Sequence, residues 1–215
     1  MSPIYKDPQV EAMLDLFAGL LDTKKTIDTA AYLQSLAERL FEGYQKEHTG
    51  IVFTTGRFFN SSILADYFKK TFTLENAQWC IAQEHGYQDW DEVLSANDKA
   101  DIHFELLIDD MLTGNEQALI SALQNKPELI HQQSHYPHKA TLLHYTGSNG
   151  IEGYRQIVPQ NLAKIVEYLL HAGADTRHKA KLYNGCTARE LLETSKHPYE
   201  AGVIKAVQAV YERLL

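Results

Sequence analysis

Ten histidines are spread over 215 residues, and four of them, His131, His135, His138 and His144, fall within a span of 14. Two histidines four apart on a helix present both rings on one face and can share a metal ion, and His131 and His135 have that spacing. Pro137 breaks any helix through this stretch, no matching carboxylate lies near, and the HExxH arrangement of a zinc hydrolase is absent. His171, His178 and His197 stand further on, the last just before Pro198. The cysteines offer a second chemistry. Cys186 precedes a helix cap, where a thiol can become more acidic, whereas Cys80 sits within an amphipathic helix. No GxSxG, P-loop or GxGxxG is present, and Glu42, Glu47, Asp109 and Asp110 read as surface charges on helices. A metal-dependent enzyme built on the histidines is therefore an alternative, while the leading expectation is no catalysis, no bound metal and no cofactor.

Composition narrows the classes. Hydrophobic residues make up 44% and charged residues 22%, ordinary for a folded soluble chain. The net charge of −8, from 20 basic and 28 acidic residues, argues against general nucleic-acid binding, which needs a basic field. Two cysteines fit a reducing compartment. The opening MSPIYKDPQV has no cationic segment followed by an apolar one, and runs such as IVF and ELLI are far too short to span a membrane. A cytoplasmic location without membrane association is expected.

The elements that must position these residues are helices. Asp7 and Pro8 suit the start of one that carries Val10, Met13, Leu14, Phe17, Leu20 and Leu21 at helical spacing. Asp28 caps a second with Leu33, Leu36, Ala37, Leu40 and Tyr44 on one face. HTGIVFTTGRF, with two Gly and several β-branched residues, reads as a loop or short extended piece, and Asn60 as the cap of another helix. Thr73 caps a helix that Gly86 ends. Asp89 and Glu92 have capping-box spacing for a short helix from Trp90, with Tyr87 and Val93 packing across the cap. Trp79 and Trp90 either stack on a ligand or fill a small helical core. SANDKAD is a polar break, giving an N-terminal helical region over 1–97 and a second domain over 101–215.

The second domain is self-similar. Thr141-Leu142-Leu143-His144 opens one unit, Thr187-Ala188-Arg189-Glu190 opens another, and AKIVEYLLHAGAD lies between them. LLHAGAD and TLLHY resemble the closing and opening patterns of the ankyrin repeat, with Leu142 standing where that family has Pro and Thr146 where it usually has Ala. The resemblance implies an all-α fold of ankyrin-like helical hairpins, units at about 101–135, 136–180 and 181–215, stacked on the N-terminal helical domain. It also implies that His144 bonds neighbouring backbone and registers one repeat on the next. Thr141 and Thr187 suit caps of inner helices, Gly150 can end the first of these, and Gly173 can end the outer helix carrying Ile165, Val166, Leu169 and Leu170.

Thr141 and Thr187 are 46 residues apart, against about 33 for the family period. Most of the excess is GIEGYRQIVPQN, expected at the turn between inner and outer helix, away from the fingertip loops, with Pro159 at the start of the returning helix. Its Ile151, Tyr154, Ile157 and Val158 suit packing back onto the chain, over the last unit, or else a second apolar contact site.

Ankyrin-like proteins bind other proteins through inner helices and fingertips. Here the fingertips hold His135, Tyr136, His138 and Lys139, then Arg177, His178, Lys179, Lys181 and Tyr183. In an acidic chain this is a local reversal of sign, and it suits an acidic protein partner. The plainer reading is a pair of solvated loops. A self-associating structural subunit is the remaining alternative, and the sequence leaves the oligomeric state open.

Overall fold

The caps at Asp28, Thr73 and Asp89 form as local chemistry dictates. Asp28 accepts the Ala31 amide at 2.8 Å and starts α2 (Thr29–Gln45). Thr73 and Asn76 exchange bonds to start α4 (Leu74–Glu84), and Gly86, at φ +86°, ends it in a left-handed turn. Asp89 accepts the Glu92 amide to start α5 (Trp90–Leu94), beneath which Tyr87 and Val93 are both buried.

The computed structural model describes residues 3–56, 58, 68–96 and 99–214, so the helix expected from Asn60 lies outside the described residues. The described chain is mostly helical, with twelve α-helices and one two-stranded sheet. It forms two compact units, 8–100 and 101–215, and the second also takes residues 1–7. The start of the expected N-terminal region thus belongs with the C-terminal unit.

In the unit 8–100, α2 buries Leu33, Leu36, Ala37 and Leu40 and packs on α4, while α1 (Pro8–Leu16) packs on α3 (Thr49–Thr55). α1 is shorter than its apolar periodicity predicts. The chain leaves the helix after Leu16, and Leu14, Leu20 and Leu21 are half-buried. The Arg39 guanidinium reaches back to the carbonyls of Leu16 (3.0 Å) and Ala18 (3.2 Å), placing a cation where the helix dipole favours one. Trp79 meets Phe58 edge-on and remains 38% exposed, and Trp90 is half-buried, so neither ring fills a core.

The segment expected to be a loop is helical, α3, because tertiary contact overrides its β-branched composition. His48 Nδ1 accepts the Gly50 amide at 3.0 Å, and Ile51 is buried. Gly50 permits the close approach of α1: a Cβ there would lie 2.4 Å from the Ala12 carbonyl oxygen, a backbone atom that cannot swing aside. Gly50→Ala is expected to destabilise this unit by about 1–3 kcal/mol. Urea unfolding followed by tryptophan fluorescence measures this, since both tryptophans lie in this unit.

In the other unit, α6 (Ile102–Leu112) and α7 (Glu116–Asn125) form one helical pair. The second pair is α8 (Leu142–Tyr145) with α9 (Leu162–His171), and the third is α10 (Ala188–Thr194) with α12 (Ile204–Leu214), joined through α11 (Lys196–Glu200). α8 touches α6 on one side and α10 on the other, and α9 likewise touches α7 and α12. α8 is a single turn that ends at Tyr145, not at Gly150, because the Thr146 hydroxyl donates to the Leu143 carbonyl and closes the turn early. Gly173, at φ +94°, ends α9 as expected.

The inserted connection packs inward: Ile151, Tyr154, Ile157 and Val158 are all buried. Pro159 does not begin a helix. Val158–Pro159 form β2, antiparallel to β1 (Ile4–Tyr5), with Ile4 opposite Pro159 and Tyr5 opposite Val158. This edge pairing explains why a proline is tolerated and how residues 1–7 join this unit.

Candidate functional site

The two fingertips are short β-turn excursions. The first closes through a bridge between Gln133 and Thr141, the second through one between Ala180 and Cys186. They are tied to each other: the Lys181 amide donates to the His138 carbonyl at 2.7 Å, and His178 Nε2 lies 3.3 Å from the Lys139 carbonyl. The turns of these loops place the expected contact residues on two sides, one outward and one inward. Arg177, Lys179, Lys181 and Tyr183 are exposed, whereas Ala180 and Leu182 face inward. Tyr183 projects at the tip, 62% exposed, its hydroxyl donating to Asn149 Oδ1 at 3.0 Å. Its ring passes over Gly150, where a Cβ would sit 2.8 Å from it. Asp175 Oδ1 accepts the Arg177 amide and thereby shapes the entry to the loop.

The first fingertip differs from expectation. Tyr136 and His138 are buried, and His135, Lys139 and His178 are half-buried. Tyr136 and His138 therefore cannot offer a partner their side chains. Lys139 Nζ donates to the His135 carbonyl at 3.0 Å, so its ammonium is engaged within its own loop.

Beneath this loop lies a charge cluster that sequence reasoning missed. Arg155, from the inserted connection, donates to Glu105 on α6, to Asp109 at 3.0 Å and to Glu152 at 3.1 Å. Arg155 and Glu152 are 3% and 0% exposed. Asp109 is thus part of this ion network and not a plain surface charge. Glu105 also lies 3.6 Å from His135 Nδ1, and Glu152 lies 4.0 Å from His138 Nε2. The insertion was expected away from the fingertips; instead its two charged residues support the first one from below. Burial works against the Arg155 charge, but Glu105, then Glu152 and Asp109, outweigh it and hold the guanidinium well above its ordinary pKa. Burial is also the main force on His138 and lowers its pKa although Glu152 pulls the other way, so the ring is neutral. Its Nδ1 accepts the Ala140 amide at 3.0 Å. With Glu105, Glu152 and Arg155 buried and Asp109 at its edge, the cluster suits a clasp between the insertion, α6 and the fingertip.

His144 joins the start of α8 to the second fingertip. Nδ1 lies 3.3 Å from the Thr141 amide and 2.8 Å from its hydroxyl, and Nε2 lies 3.3 Å from the Ala180 nitrogen in the next fingertip. Burial, and then His178 beside it, lower the His144 pKa to about 4.

The fingertip histidines do not gather as metal ligands. Among the described residues, the group of three ligand-type side chains within metal-binding reach is Asp7, His197 and Glu200. The sequence signal for it was His197 and Glu200, three apart on one helical face. Asp7 is brought in by tertiary structure, through the β1–β2 pairing. Burial raises the Cys80 thiol pKa to about 12, which removes it as a nucleophile near neutral pH. Among the described residues no helix is long and apolar enough to cross a membrane. Comparison of the chain with protein-family models, curated proteins and solved structures finds no match.

Proposed function

We propose that the chain is a protein-interaction module, with its C-terminal unit a stack of three ankyrin-like hairpins that takes an acidic protein partner on its second fingertip. The observation that carries this reading is the outward row Arg177, Lys179, Lys181 and Tyr183, three cations and an aromatic on one bridged loop. Such a row steers an acidic surface toward the loop, and Tyr183 supplies the anchor with apolar area. The order of contacts, with α6, α8 and α10 adjacent and α7, α9 and α12 adjacent, supports the hairpin stack. So does the His144 contact to the following fingertip. Tyr136 and His138 have no part in the docking surface. The role assigned to them is internal, holding the first loop against the insertion.

The test is capture of partners from an extract of the source cell by the wild-type chain and by a variant with Arg177, Lys179 and Lys181 changed to Glu. The partner is expected to be lost from the variant, and its association rate to fall about tenfold or more at low salt. Equal capture by both would remove the second fingertip as the site.

A further inference from the structure

We infer that Asp7, His197 and Glu200 form a binding site for a divalent transition metal, with zinc the ion that the donor set fits best. Their ligand atoms lie within 4.8 Å of one another. Zinc bonds of about 2.0–2.1 Å place tetrahedral ligands about 3.4 Å apart, so small side-chain rotations close the set. One imidazole and two carboxylates are a zinc-type combination, whereas calcium and magnesium prefer oxygen donors alone.

The surroundings are those of a built site. His197 and Asp7 are buried, while Glu200 sits at the rim. Gln156 Oε1, from the inserted connection, lies 3.2 Å from His197 Nε2. A bond to one ring nitrogen fixes the orientation of the imidazole, the outer support that metal-binding histidines commonly have. The Ser195 hydroxyl accepts the His197 amide at 3.3 Å and fixes the start of the helix. Tyr5 donates its hydroxyl to Glu200, so the β1 strand that delivers Asp7 also orients the second carboxylate.

Lys196 Nζ lies 2.7 Å from Asp7 Oδ2, where a metal ion would compete with it. Lys196 is half-exposed and can turn its ammonium into water, whereupon a dication neutralises both carboxylates. The bound ion would join residues 1–7 to α11, and three protein donors leave a fourth position for water or another ligand. The inference rests on geometry separate from the fingertip and does not depend on the proposed partner.

The test is titration of the metal-stripped full chain with zinc chloride, under a non-chelating reductant, by calorimetry and by competition with a chromophoric chelator. One zinc per chain is expected at the tight site. Glu200→Gln, a rim change that leaves the core untouched, is expected to weaken binding at least about tenfold, as is His197→Gln. Lys196→Met is expected to tighten it, because the competing ammonium is gone. Zinc held by the other histidines would not respond to that change. Circular dichroism of each metal-free variant separates lost binding from lost fold. The inference is overturned if the wild type takes up no zinc at equimolar concentration, if Glu200→Gln binds as well as wild type, or if tight binding is lost from His135→Gln or Cys186→Ser instead.

Discussion

Arg155→Met is expected to destabilise the C-terminal unit by about 3–5 kcal/mol, the range for removing one partner of a buried ion pair. The effect comes from what is left behind. Glu105 and Glu152 are buried, and both receive a charged hydrogen bond from this one guanidinium. Without it two carboxylates share a closed space with one half-buried carboxylate, Asp109, at its edge. Their pKa values in the folded variant must then rise. A carboxylate with a raised folded pKa regains stability as pH falls toward that value. The deficit of Arg155→Met against wild type is therefore expected to shrink between pH 7.5 and pH 5, a change that a simple cavity would not show. Urea unfolding by circular dichroism gives the difference at each pH, and tryptophan fluorescence monitors the unit 8–100 separately. Hydrogen exchange should place the loss in α6, the first fingertip and residues 151–159. Arg155→Lys keeps a charge but cannot serve three acceptors in one plane, and it should fall between the two. A deficit below about 1 kcal/mol, the range of a surface pair, would mean that the cluster is not the clasp described above.

What could be read from the residues alone follows the distance over which each interaction acts. Asp28, Thr73, Asp89 and Thr187 each bond an amide within the next turn, and their helices start where the sequence places them. α3 was illegible because its cause is Gly50 meeting Ala12, a contact across the fold. The Arg155 cluster joins positions 50 and 46 apart, and Lys196 meets Asp7 across 189, so no local pattern announces either. Pro159 illustrates the same limit: its fixed φ suits a helix start and an edge strand equally, and only the returning Ile4–Tyr5 decides between them. The fingertips were half legible. Their charges were plain, but the side of the loop on which each residue stands was not. Yet the signal was present: Lys179-Ala180-Lys181-Leu182-Tyr183 alternates polar with apolar, and Ser134, Tyr136, His138 and Ala140 are the inward members of the first loop. That alternation separates Tyr136 and His138 from the exposed cations.

The second large effect is a loss of stability on mild acidification, and it comes from the residue that joins α8 to the Ala180 turn. His144 titrates near pH 6.5 when unperturbed and near 4 in the folded chain. Above about pH 7 it is neutral in both states and pH changes nothing. Between 6.5 and 4 the unfolded chain binds a proton that the folded chain refuses, so stability falls as pH falls, by up to about 1.4 kcal/mol per unit and about 3 kcal/mol over the window. His138, buried and lowered in the same direction, adds to the slope. Carboxylates enter later. Asp101, for example, is held below its usual pKa despite burial, by Gln132 and the amides of His103 and Phe104, so its contribution fades only under more acidic conditions. The window from pH 6.5 to 4.5 therefore isolates the histidines. Urea midpoints by circular dichroism across that window are expected to fall steadily in the wild type. They should fall less steeply in His144→Gln, although that variant is weaker at pH 7.5 because the bridge from Thr141 to the Ala180 turn is altered. The reduced slope is the informative quantity, since a residue that merely packs would lower stability equally at every pH. An unchanged slope would show that the proton responsible binds elsewhere. With the expected slope, the same ring that joins α8 to the Ala180 turn also makes that junction sensitive to acid, and exchange protection should be lost first around Thr141 and Ala180.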